Sequence, residues 1–196
     1  MVFPTQRGTI PIATLIVVLL GACTATPPTV IEALDESTGA TVTYSETPIN
    51  MSPDTDFARA NTRPYVDMGA IRVNRNRVRE YFLWLGIWDV DYAGRGNRQP
   101  AEFESVVIVV DGEPLALEVH GWSHAAIGSS GPVYKRLFPD AADAYYAVSL
   151  EQIGQLAAAA DIRLRTGGAA PREFVPWYRV EKAQSALAAF FRRVSE

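Results

Sequence analysis

A stretch of eight residues, Tyr81 to Trp88, does most to limit what this chain can become. Tyr81, Leu83, Leu85 and Ile87 alternate with Phe82, Trp84 and Trp88, so a strand here shows apolar side chains on both faces. Such a strand belongs at the centre of a sheet with cover on each side. Just before it, Met68 to Val73 reads as a partner strand, with Asn74-Arg75-Asn76-Arg77 as the turn of a hairpin.

A second hairpin is signalled more sharply. Val106 to Val110 is an unbroken β-branched run, and Asp111-Gly112 supplies residues that accept the positive φ angles of a tight turn. Leu115, Leu117 and Val119 then alternate with Ala116, Glu118 and His120. Further short strands are expected at Val42 to Ser45, Asp143 to Val148, Ile162 to Leu164 and Phe174 to Val180, the last interrupted by Pro176 and therefore placed at an edge. Residues 49 to 63 and 121 to 142 read as loops, the latter long enough to invite a functional role.

Two helices are expected late in the chain. Ser149-Leu150-Glu151-Gln152 fits a capping box, and Val148 with Ile153 a hydrophobic staple, opening a helix through Ala160. The segment from Glu181 to Val194 carries Ala183, Leu187, Phe190, Phe191 and Val194 on one stripe, with acid at its start and arginines at its end. The expectation is α+β: one compact domain over residues 39–196, a largely antiparallel sheet of hairpins with two late helices packed on it.

Charge and cysteine content narrow the function. The chain of 196 residues has a net charge of -4 and no basic face, so nucleic acid is not an expected partner. Arg72, Arg75, Arg77 and Arg79 form its densest basic stretch and read as a solvated turn, with an anionic ligand as the other reading. There is a single cysteine, Cys23, so no internal disulfide can form and the fold rests on packing. No cofactor is expected.

The amino terminus has the pattern of an export signal. Arg7 precedes an apolar run from Ile10 to Ala22, about thirteen residues where a membrane-crossing helix needs roughly twenty. Leu20-Gly21-Ala22-Cys23 resembles the lipobox of bacterial lipoproteins. The resemblance implies cleavage of residues 1–22, lipidation of Cys23 with diacylglycerol and a further acyl chain such as palmitate, and residues 23–38 as a tether. It also implies a place in the cell envelope. Thr24 stands where members of that family retained in the inner membrane often carry aspartate, which points to the outer membrane, facing the periplasm.

Candidate chemistry in the body is sparse. Gly121-Trp122-Ser123-His124-Ala125 resembles the nucleophile elbow of α/β-hydrolases, but antiparallel hairpins and a histidine adjacent to the serine do not suit a triad. Glu118, His120 and His124 carry metal-ligand character, set against their plainer reading as polar groups on the wet face of a hairpin, and no metal site is assigned. Asp89 with Asp91, and Asp140 with Asp143, are paired carboxylates of the kind glycosidases use, and also ordinary turn residues.

Trp122, in the glycine-rich loop, is the strongest ligand-contact candidate, with His120 and His124 beside it. These features favour a non-catalytic binding or assembly module, held to the membrane through Cys23 and engaging an envelope protein or glycan through the 121–134 loop. The alternative is an envelope hydrolase for a glycan or ester, using Asp89, Asp91, Glu118 or His120.

Overall fold

The computed structural model describes residues 30–54, 64–89, 100–136 and 141–196. Ten strands form one antiparallel sheet: β1 (Val30–Asp35), β2 (Ala40–Ser45), β3 (Ile49–Pro53), β4 (Pro64–Arg75), β5 (Val78–Asp89), β6 (Ser105–Val110), β7 (Glu113–Gly121), β8 (Ala142–Val148), β9 (Ile162–Thr166) and β10 (Glu173–Tyr178). Helix α1 (Leu150–Ala158) joins β8 to β9, and α2 (Val180–Ser195) follows β10. The fold is thus α+β with two late helices, as expected.

The sheet closes on itself. Its order is β1-β2-β4-β3-β10-β9-β6-β7-β8-β5, and β5 also pairs with β4 along its whole length, so eight strands form a barrel. The remaining two, β1 and β2, extend from one half of β4. This is possible because β2 and β3 are one strand interrupted at residues 46–48: Tyr44 pairs with Ile71 of β4 and Ile49 with Met68.

Strand alternation separates two cores. The inner face carries Met51, Met68, Leu83, Leu85, Ile108, Tyr146 and Leu164, and onto it pack Ile153 and Leu156 of α1 and Leu187 and Phe190 of α2. Gly154 lets the helices touch, since a Cβ there would stand 2.9 Å from the Phe191 ring. The outer face of β2, β4, β5 and β8 carries Val42, Ile71, Val73, Phe82, Trp84 and Tyr145, covered by Ile127 and Tyr134 from the segment after β7. The doubly apolar β5 is therefore covered on both sides, by helices within and by a loop without.

Local signals account for the turns. Asn76 and Arg77 adopt φ of 52° and 67°, closing the β4–β5 hairpin, and Asp111 and Gly112 adopt 50° and 93° in the β6–β7 turn. Ser149 and Gln152 exchange the two hydrogen bonds of a capping box at α1.

Several expectations need correction. The sheet takes up the chain at Val30, so the tether does not run to residue 38; β1 is an edge strand with exposed residues on both faces, Ala33 on one and Leu34 on the other, which leaves little hydrophobic periodicity to read. Residues 49–53 are a strand, β3, despite polar Asn50 and Ser52, which face outward while Ile49 and Met51 face the inner core. Nor is β10 an edge: it lies between β3 and β9. Pro176 is accommodated because β9 pairs only with Glu173 and Phe174, and the register with β3 shifts between Pro176 and Tyr178.

Candidate functional site

Residues 121–136 cross the outer core as a clamp. After Gly121 the chain makes a short 3₁₀ turn, His124–Ile127, which ends at Gly128 with a left-handed φ of 69°. Tyr134 is the main fastening. Its ring stacks on Trp84 at 4.5 Å and meets Tyr44 edge-on at 5.2 Å, while its hydroxyl donates to Ala70 O at 3.0 Å and lies 3.2 Å from Ser45 Oγ. Burial pushes the Tyr134 phenol well above its ordinary value. Gly69 of β4 sits directly beneath, where any Cβ would run into the Tyr134 ring.

Polar fastenings complete the clamp. Arg136 donates to Asp143 through Nε at 2.9 Å and Nη2 at 2.5 Å, and the other oxygen of that buried carboxylate accepts from Trp84 Nε1 at 3.0 Å. Arg75 donates to Gly128 O at 2.5 Å. The far tip is tied to the β1–β2 turn, where Asp35 accepts from Ser130 N at 2.6 Å and Ser130 Oγ at 2.7 Å. Those bonds hold the Asp35 carboxyl below the usual carboxylate range.

The clamp stands proud of the sheet and leaves a trough beside β1. One part, about 340 Å³, lies among Leu34, Asp35, Tyr44, Ser130 and Val133; the adjoining part, about 570 Å³, lies among Ile31, Tyr44, Pro132, Val133 and Arg136. Among the described residues β1 has one strand neighbour, β2, so its other edge borders this trough with main-chain groups unpaired by the sheet. Leu34 stands 65% exposed at the rim.

A second surface feature lies toward the other end of β4. Trp88 stacks on Tyr65 at 4.4 Å, Trp177 meets Tyr65 at 5.7 Å, and Tyr178 meets Trp177 at 5.8 Å, forming a row of rings. Beneath it, Asp67 is buried, accepting from Asn50 Nδ2 at 2.5 Å and Trp88 Nε1 at 3.1 Å. Desolvation raises the Asp67 pKa, and the two hydrogen bonds offset part of that rise.

The residues singled out from sequence are dispersed. Trp122 is half-buried against the inner core. His120 is exposed on the outer face of β7, with Nε2 3.2 Å from Ala126 O and its ring 5.3 Å from Phe82; Glu118 shares that face, and half-buried His124 opens the 3₁₀ turn. Among the described residues, no three His, Cys, Asp or Glu side chains form a group able to hold a metal. Asp143 is engaged by Arg136 and Trp84. Cys23, Asp91, Asp140 and the Asp89 side chain lie outside the described residues.

The arginine stretch is not a uniform solvated turn. Arg72 is buried, donating to Glu32 at 3.0 Å and Thr43 Oγ1 at 2.9 Å, and Arg75 serves the clamp, while Arg77 and Arg79 are exposed. Residues to which sequence reasoning gave no site role include Asp35, Asp67 and the Trp177–Tyr178 pair. Asp67 had a signal, a lone acid inside an apolar strand. The bond from Ser130 to Asp35 spans 95 residues and had none.

Comparison of the chain with models of known protein families, with curated proteins and with solved structures finds no match.

Proposed function

We propose that this protein is a lipid-anchored component of the bacterial cell envelope, attached through Cys23 to the periplasmic face of the outer membrane. It acts there as a non-catalytic module that binds an extended segment of a partner protein along β1. The observation that carries this reading is the trough itself, an open strand edge running beside a wall of side chains. A segment laid along β1 gains main-chain hydrogen bonds from the edge, and its alternate side chains meet Tyr44 and Val133. The clamp has the attachments such a wall requires, because Tyr134, Arg136 and Ser130 fix both of its ends to the sheet.

Site-specific photo-crosslinking in the native envelope tests this. A photoreactive residue at Leu34, 65% exposed beside the trough, is expected to capture one defined protein; the same residue at Val78, 60% exposed on the β4–β5 turn, is expected to capture none. Capture at Leu34 should also fall sharply in a Cys23→Ser chain, which removes the anchor. Matching adducts at both positions would overturn the reading.

A further inference from the structure

The point where the tether enters the sheet and the exposed aromatic row are neighbours. Both β1 and β10 lie on the same side of the interrupted β2–β3 strand, and both run antiparallel to it. Val30, the first residue of β1, pairs with Ser45, and Tyr178, the last of β10, pairs with Asn50. Measured on β4, Ser45 stands one residue past the Tyr44–Ile71 pair and Asn50 opposite Asp67. That separation is three residues of strand, about 10 Å.

Beside that entry point the surface is apolar. Of the large hydrophobic side chains exposed among the described residues, Trp177 (47%), Tyr178 (47%) and Val180 (38%) are consecutive or nearly so, whereas Leu34 and Val78 lie at the other end of β4. Arg179 lies with its guanidinium 5.0 Å from the centre of the Tyr178 ring. Tryptophan and tyrosine favour the headgroup region of a bilayer, where the ring is partly desolvated and its polar atom stays wet, and arginine can snorkel to the same level.

We infer that Trp177, Tyr178 and Val180 form a ledge that rests in the headgroup layer of the membrane carrying the anchor. This rests on the reading of Cys23 as the lipidated residue. Seven Cα-to-Cα steps separate Cys23 from Val30, a reach of at most about 25 Å even fully extended. Lipid on Cys23 therefore holds the ledge at high effective concentration against the bilayer, where a contact too weak to bind membranes alone still orients the domain. Glu181 offsets one of the charges of Arg179 and Lys182, so the contact draws on apolar area rather than on anionic lipid. The orientation leaves Leu34 and Asp35, at the far rim of the trough, pointing away from the membrane, with the Ile31 part nearer the tether.

The test uses the full acylated protein in vesicles of phosphatidylethanolamine and phosphatidylglycerol. In Val180→Cys and Val78→Cys chains the introduced thiol is the one free thiol once Cys23 is acylated, and each takes an environment-sensitive probe. Quenching by brominated lipid is expected to be at least about threefold stronger at position 180 than at 78. Adding Trp177→Ala and Tyr178→Ala should erase that contrast while flotation with the vesicles persists. Co-flotation with equal quenching at the two positions overturns the ledge and leaves the anchor standing; failure to float overturns the anchor and the ledge together.

Discussion

Two aspartates, Asp35 near one end of β4 and Asp67 near the other, are held in opposite ways. Asp35 sits at the surface, gripped by Ser130, with its charged form favoured. Asp67 sits under the aromatic row, buried with two donors, with its charged form disfavoured. The first end is built from directional polar bonds that fix a loop against a turn, as the proposed wall beside the trough requires. The second is built from rings over a desolvated acid, as suits a surface that meets something apolar. The two regions thus present two chemistries, pointing to two different contacts.

Tyr134→Ala should break the contrast most. It removes the ring that seats the clamp on Trp84 and should cost about 3–5 kcal/mol, read as a lower denaturant midpoint. It should also abolish crosslinking at Leu34 while leaving membrane quenching at position 180 unchanged. Tyr134→Phe keeps the ring but strips its hydrogen bonds, leaving buried Ser45 and the Ala70 carbonyl short of a partner. A loss of about 1–3 kcal/mol in the same denaturation experiment is expected.

The two aspartates give opposite pH signatures. With its pKa lowered on folding, Asp35 binds fewer protons in the native state than in the unfolded chain. Its contribution is complete above the ordinary Asp value of about 3.9 and fades as pH falls toward the lowered value. With its pKa raised, Asp67 binds more protons in the native state, so its contribution falls as pH rises from the ordinary value through the raised one and is level above that. Urea midpoints measured across the acid range should therefore lose part of their acid-side decline in Asp35→Asn and an opposing rise on acidification in Asp67→Asn. The smallest effect is expected for Trp177→Ala, under about 1 kcal/mol because the ring is 47% exposed; what it should change is membrane contact.

What the sequence revealed follows from how local each device is. The β6–β7 hairpin is written in Asp111-Gly112, the start of α1 in Ser149 and Gln152, and the double cover of β5 in its alternation. Closure of the barrel depends on β3 pairing with β10 across more than a hundred residues, and neither strand has a clean period: Asn50 and Ser52 dilute one, and Pro176 interrupts the other. The long loop after β7 was legible as a loop but not as a clamp, because its fastenings to Ala70, Gly69 and Asp35 come from strands far away in sequence. For the same reason Trp122 stood out while Trp177 did not. A tryptophan among glycines is conspicuous, and one beside a strand proline reads as core.

Both proposed contacts rest on the proposed anchor, which makes the amino terminus the point of greatest leverage. Mass spectrometry of the protein purified from bacterial envelopes tests it directly. The account predicts a mature chain beginning at Cys23 and carrying diacylglycerol and an amide-linked acyl chain. A chain that retains residues 1–22, or one that begins at Cys23 without lipid, would contradict it.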